Sequence, residues 1–216
     1  MPTSGQCLTG AASGQHIGQL GLTGRAQVRP HFAIILRSFF ECSSGEIDVL
    51  EGVHNQPTNQ YTLHTGPGCT LSSDNNRVSA NAISSQCASS GANNNGCAFI
   101  DTDARSYGKS FNMIGGGVYA HLWNSDGIKM WHFARGEIPA DITAKQPNPA
   151  SWPAPAAFWS AKSCNMNDFH DHSLVIDTTL CGDFAGATYV SAGCPGTCAG
   201  AVQNPDNFRC ESSLSL

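Results

Sequence analysis

The segment Gly45-Glu-Ile-Asp-Val-Leu-Glu-Gly52 concentrates the acidic chemistry of the chain. The 216 residues hold five Glu, and two of them flank an Asp here. Crowded carboxylates repel, and the simplest relief is for one of them to keep its proton. A neutral carboxylic acid beside an ionised carboxylate is the pair a retaining glycosidase requires, at ~5–5.5 Å. In a regular strand, side chains alternate, so Glu46 and Asp48 share one face and Glu51 points the other way. One extra residue in a β-bulge at Val49–Leu50 returns Glu51 to the face of Glu46 and Asp48. A flat strand sets Cα atoms four positions apart by roughly 13 Å, so the short distance also demands a bent sheet and converging side chains. Two other readings of the acids are a solvated edge strand and a calcium site. The loop pattern D-x-[DN]-x-[DN]-G is absent.

Positioning these acids takes a sheet. From Gly45 onward, short runs rich in β-branched and aromatic residues alternate with Gly, Asn, Pro and Ser clusters, the pattern of an all-β protein. Strands are predicted over Glu46–Glu51, Gln60–Thr65, Cys97–Thr102, Gly117–Trp123, Ile128–Ala134 and Ser173–Thr179. Asn124-Ser-Asp-Gly127 between the fourth and fifth is a hairpin signal. The prolines between Thr143 and Pro155 require a loop, and Pro139-Ala-Asp-Ile142 makes at most one helical turn. Short strands with long polar loops read as a β-sandwich of the jelly-roll type. Residues 1–42 show no period and carry Gly at positions 5, 10, 14, 18, 21 and 24, each costly inside a strand. They are expected to form an irregular leader that adds no strand, ahead of one domain over residues 43–216.

Only 12% of residues are charged and the net charge is −5. Nucleic acid is therefore not an expected partner, since phosphate binding needs a basic surface. The longest apolar run, Phe32 to Leu36, is far short of the ~20 residues that span a bilayer, so no membrane association is expected. Ten cysteines point to disulfides and an extracellular protein. The first thirty residues nevertheless lack the basic-then-apolar layout of a secretion signal. The closest cysteine pair, Cys194-x-x-x-Cys198, has no second pair near it, which disfavours zinc. Asp168-Phe-His-Asp-His172 reads as a solvated loop rather than a metal site. Gly115-x-Gly-x-x-Ala120 opens a strand pattern, not the helix a dinucleotide needs, and Gly108-Lys-Ser110 lacks the earlier Gly of a phosphate loop. No metal and no cofactor are expected. Trp123 is expected in the core, and Trp152 and Trp159 exposed.

Gly45-Glu-Ile-Asp-Val-Leu-Glu-Gly-Val-His54 resembles the catalytic strand of glycoside hydrolase family 16, whose bulged motif is E-[I/L]-D-x-x-E. Further segments resemble the fungal secreted endo-1,3(4)-β-glucanases (laminarinases) of that family. They are Asn59-Gln-Tyr-Thr-Leu-His-Thr-Gly-Pro-Gly-Cys69, Gly115-Gly-Gly-Val-Tyr-Ala-His-Leu-Trp123, Ile138-Pro-Ala-Asp-Ile142, and Cys181-Gly-Asp-Phe-Ala-Gly186 with Cys194-Pro-Gly-Thr-Cys198. The resemblance runs from residue 44 to about 208. It implies a jelly-roll sandwich with a glycan cleft, a β-glucan polysaccharide as partner, a monomer, and a retaining double displacement. Glu46 matches the nucleophile, Glu51 the acid/base, and Asp48 the residue between them that tunes the nucleophile. His64 matches a residue lining the cleft. Phe184 stands where the family usually has Trp, which implies a smaller ring for stacking on sugar.

The family's usual Trp-rich approach to the catalytic strand is replaced here by Phe39-Phe-Glu-Cys-Ser-Ser44, and the pattern breaks again after Phe208. These departures lead to the expectation of a partial catalytic domain, truncated at both ends, with an incomplete sandwich. The leading expectation is a retaining endo-β-glucanase acting on 1,3- or mixed 1,3/1,4-β-glucans. Its rivals are a non-catalytic glycan-binding or inactive fragment of the same fold, and a related transglycosylase.

Overall fold

The computed structural model describes residues 16–22, 31–37, 44–72, 77–90, 93–204 and 207. Their strands, in chain order, are β1 (His16–Leu22), β2 (His31–Arg37), β3 (Glu46–Gly52), β4 (Gln60–His64), β5 (Asn81–Ser84), β6 (Cys97–Ile100), β7 (Gly117–Asn124), β8 (Gly127–Ala134), β9 (Ala157–Ser160) and β10 (Ser173–Thr179). They build two antiparallel sheets, ordered β1-β7-β8-β9 and β10-β2-β3-β4-β6-β5. The fold is a jelly-roll β-sandwich. Alternation along each strand decides what enters the core. Ile47, Leu50, Tyr61, Leu63 and Phe99 of the six-stranded sheet pack with Tyr119, Ile128, Met130 and Trp159 of the other, all buried.

β7 and β8 are buried on both faces. Val118, Ala120, Trp131 and Phe133 point outward from β7 and β8, and Ile138, Ile142 and Trp152 cover them. Trp152 meets Trp131 and Phe133 edge-on, and the Trp131 indole N–H donates to the Pro153 carbonyl at 2.9 Å. The proline-rich segment is thus a loop, as expected, and it acts as a third layer. The Asn124–Gly127 turn closes the β7–β8 hairpin, pairing Asn124 with Gly127. Gly127 has φ +139°, and a Cβ there would collide with the Trp159 carbonyl.

All six predicted strands are present, with ends shifted by at most two residues. Four short helices accompany them: α1 (Gly108–Met113), α2 (Ala140–Thr143), α3 (Gly182–Thr188) and α4 (Cys198–Gln203). Of these, only the single turn α2 was expected. The expectation of an irregular leader over residues 1–42 is corrected, because β1 and β2 lie there. β2 runs antiparallel between β3 and β10, with one register shift against β3 between Ile34 and Ile35, so it is paired on both sides. That ladder outweighs the local poverty of pattern. β1 pairs with β7 despite Gly18 and Gly21. The missed strands β5 and β9 have four residues each, too few for a period to show.

Trp159 is also corrected. It is not exposed but fully buried, because its register opposite Ile128 turns the ring inward. Its indole N–H donates to the Cys97 carbonyl at 3.3 Å, and its ring lies edge-on to Phe99. Trp152 is half-buried rather than exposed, its indole N–H donating to Asp141 Oδ2 at 2.8 Å. Trp123 packs against the core as expected. Disulfides join Cys69 to Cys164, Cys87 to Cys97 and Cys181 to Cys198. Cys7, Cys42 and Cys210 lie outside the described residues.

Replacing Trp159 with Ala should lower the unfolding free energy by about 3–5 kcal/mol, the range for a large buried aromatic. Urea denaturation at fixed pH measures it, read as a shift in midpoint with little change in slope.

Candidate active site

The site is built on β3 and read out against β4. Glu46 pairs with His64, Asp48 with Thr62, and Glu51 with Gln60. Val49 and Leu50 together oppose Tyr61 alone, so the register shifts between Asp48 and Glu51. On the other side, Asp48 pairs with Ile35 and Leu50 with Ile34, which leaves Val49 as the extra residue. This is the bulge expected at Val49–Leu50. Its result is that Glu46, Asp48 and Glu51 stand opposite three alternate residues of β4. The three acids therefore share one face, while Ile47, Val49 and Leu50 enter the core.

Burial separates the acids. Asp48 is 1% exposed and Glu51 8%, whereas Glu46 is only partly buried. His64 Nε2 lies 3.3 Å from Asp48 Oδ2, and its Nδ1 is 2.8 Å from Ser89 Oγ. Burial draws the imidazole's pKa down. The hydrogen bond to Asp48 and the charges of Asp48, Glu46 and Glu51 outweigh it and push the pKa up to about 9. His64 is thus a cation at neutral pH, set among three carboxyl groups. It interacts more strongly with Glu46 than with Glu51.

Glu51 is oriented by neutral donors. Gln60 Nε2 and Thr62 Oγ1 both donate to its Oε2, each at 3.1 Å. Tyr107 stands beside it, and burial together with the charge of Glu51 pushes that phenol up to about 12. The Tyr107 ring occupies the space a side chain would need at Gly52, so glycine follows Glu51 for steric reasons. Just past β3, His54 Nε2 meets Thr188 Oγ1 at 3.0 Å, and the His54 ring lies edge-on to Tyr189. These contacts bring α3, which carries the half-buried Phe184, to the end of β3 nearest Glu51.

The structure therefore brings Glu46, Asp48, Glu51 and His64 together and places Phe184 on a neighbouring helix. Sequence reasoning missed Asn59, Thr62, Ser89 and Tyr107. For Thr62 a signal exists, since Gln60, Thr62 and His64 alternate with Tyr61 and Leu63. Asn59, Ser89 and Tyr107 lie outside any periodic run.

Fold and acidic strand together define a jelly-roll domain with three carboxyl groups on one sheet face. The chain belongs to glycoside hydrolase family 16: residues 40–211 match the model described as the XgeA-like, catalytic GH16 domain. A probable glycosidase of Schizosaccharomyces pombe is 42% identical over 171 residues, covering 77% of this chain and 41% of the relative. A probable endo-1,3(4)-β-glucanase of Aspergillus flavus is 38% identical over 164 residues, covering 76% of this chain and 23% of the relative. The chain thus spans less than half the length of these relatives. Laminarinase 16A from Phanerochaete chrysosporium, solved with β-glucans in donor and acceptor sites, superposes with TM-score 0.81 at 31% identity, over 95% of this chain and 70% of that one. An elongating family 16 β-1,3-glucosyltransferase superposes with TM-score 0.75 at 34% identity, over 84% and 64%.

The raised pKa of His64 links the site to stability. A group whose pKa rises on folding stabilises the fold fully below its unfolded value, near 6.5, and loses that contribution as pH climbs through about 9. Unfolding free energy should therefore fall by up to about 3 kcal/mol from pH 6 to pH 10 on account of His64. Urea denaturation across that range checks it, and His64→Gln should flatten the dependence.

Proposed function

We propose that this chain is the catalytic part of a retaining endo-β-glucanase that cleaves 1,3- or mixed 1,3/1,4-β-glucans outside the cell. The observation that carries the reading is the bulged β3, which sets Glu46, Asp48 and Glu51 on one face against His64, Thr62 and Gln60. Glu46, the more accessible of the acids, attacks the anomeric carbon. Glu51 gives its proton to the departing glycosidic oxygen, and a glycosyl ester on Glu46 results. Glu51 then takes a proton from water as that water attacks the same carbon. The ester breaks, the configuration is retained, and both carboxyls return to their starting states.

The electrostatics support this division of labour. The His64 cation interacts more strongly with Glu46 than with Glu51, and a nearby positive charge favours the ionised carboxylate a nucleophile needs. Asp48, buried on the same face, orients His64 through the 3.3 Å contact of its Oδ2 with Nε2. Phe184, on α3, is assigned to the cleft wall as a stacking surface. The three disulfides support action in an oxidising, extracellular setting. Similarity to the elongating glucosyltransferase favours one second reading, in which a glucan hydroxyl replaces water in the second step.

Incubating the chain with laminarin and lichenan and sizing the products tests both readings. Short reducing oligosaccharides are expected; redistributed lengths would favour transfer, and unchanged polymer would overturn both. Glu46→Gln should abolish turnover on every substrate. Glu51→Ala should lose the natural glucans by ~100-fold or more, in line with general-acid contributions, yet keep the first step, read as kcat/KM or a burst of released phenol, on aryl glycosides whose leaving group needs no proton. Kinetics on the two substrate types check the assignment.

A further inference from the structure

A bulge creates a hydrogen-bonding problem at the point where it is useful. Val49 and Leu50 oppose a single residue of β4, so the regular ladder cannot serve every peptide group between Asp48 and Glu51. These residues are buried, at 2%, 3% and 8% exposure for Val49, Leu50 and Glu51, and an unpaired buried peptide group is costly. The carboxamide of Asn59 meets this demand. Its Oδ1 accepts from the Glu51 backbone N–H at 3.0 Å, and its Nδ2 donates to the Val49 carbonyl at 3.0 Å. A primary amide offers the same donor and acceptor as a peptide unit. Asn59 thus stands in for the peptide group that β4 lacks opposite the extra residue.

Asn59 is itself fixed. It is fully buried, its backbone N–H donates to Ser106 Oγ at 2.9 Å, and its carbonyl accepts from the Asp101 N–H at 2.8 Å. Gln56 Nε2 reinforces the far side of the bulge by donating to the Glu51 carbonyl at 3.1 Å. The peptide on each side of Glu51 is therefore held by a side chain, and its Cα cannot drift along the strand. The separation of Glu46 from Glu51 depends on how much chain the bulge takes up.

We infer that Asn59 is a positioning residue: its carboxamide sets the bulge and thereby holds Glu51 at the distance from Glu46 that the double displacement requires. The inference rests on the glucanase reading for its catalytic consequence, and its structural half is independent of it. The variants are Asn59→Ala and, where that chain does not fold, Asn59→Ser, whose hydroxyl is too short to bridge both groups. Amide hydrogen exchange of the folded, isotope-labelled chain reads the clamp directly. The Glu51 amide should exchange at least ~10-fold faster in the variant, while amides of β8 stay unchanged. Unchanged Glu51 exchange would overturn the inference whether or not the chain is active.

Kinetics read the consequence. A displacement of order 1 Å costs ~100-fold in rate, so kcat on laminarin should fall by that order with KM within about twofold. The loss in kcat/KM on an activated aryl glycoside, which reads the first step alone, should be at least ~10-fold smaller, because proton transfer from Glu51 matters less there. Equal fractional losses on both substrates would mean fewer folded molecules rather than a misplaced acid, and would overturn the positioning role. A wild-type chain inert on both substrates would overturn the glucanase reading alone, with hydrogen exchange still deciding the clamp.

Discussion

The one extra residue in β3 is the constraint on which the rest of the site depends. Without it, Glu51 would point into the core among Ile47, Leu50 and Tyr61, and the sandwich would have a buried, unpaired acid. With it, the strand presents three carboxyl groups to one face and still gives Ile47, Val49 and Leu50 to the interior. The neighbouring strands conform. β2 takes up the shift between Ile34 and Ile35, and β4 supplies Gln60, Thr62 and His64 at matching positions. A local irregularity thus fixes the register of three adjacent strands, β2, β3 and β4, of the six-stranded sheet.

Concentrating negative charge on one face needs a counterweight, and His64 is the cation among its close partners. Its imidazolium sits against Asp48 and Ser89 rather than out in solvent. Burial alone would strip its proton, yet the surrounding carboxyl groups hold it. Glu51 is handled differently, by neutral donors from β4 and the ring of Tyr107. Two carboxyl groups on one strand therefore meet different surroundings: Glu46 stands opposite His64 in the ladder, and Glu51 accepts from the neutral donors Gln60 and Thr62.

Much of this was legible from residues 45–52, because the bulge follows from the spacing of Glu46, Asp48 and Glu51 together with the alternation of the apolar residues. The polar face of β4 could be read the same way. What stayed hidden was non-periodic or non-local. Asn59 precedes its strand, and only tertiary contact shows that its amide reaches β3. Ser89 and Tyr107 come from loops. β1 and β2 escaped notice because their neighbours in the sheet, not their own pattern, make them strands. Trp159 was misjudged because proline-rich flanks suggested exposure, whereas pairing with β8 turned it inward.

The Cys87–Cys97 bridge bears on the acidic face as well as on the core. Cys97 begins β6, and Cys87 lies two residues before Ser89 on a segment tied to Thr65 by backbone bonds of 2.9 and 3.0 Å. Ser89 in turn holds the ring of His64. Oxidation of the pair ties the segment bearing Ser89 covalently to β6, so the partner of the His64 ring is anchored by a covalent bond as well as by backbone hydrogen bonds. The surroundings of that imidazole therefore depend in part on an oxidant, and the acidic face of the sheet inherits a sensitivity to the redox setting in which the chain is made.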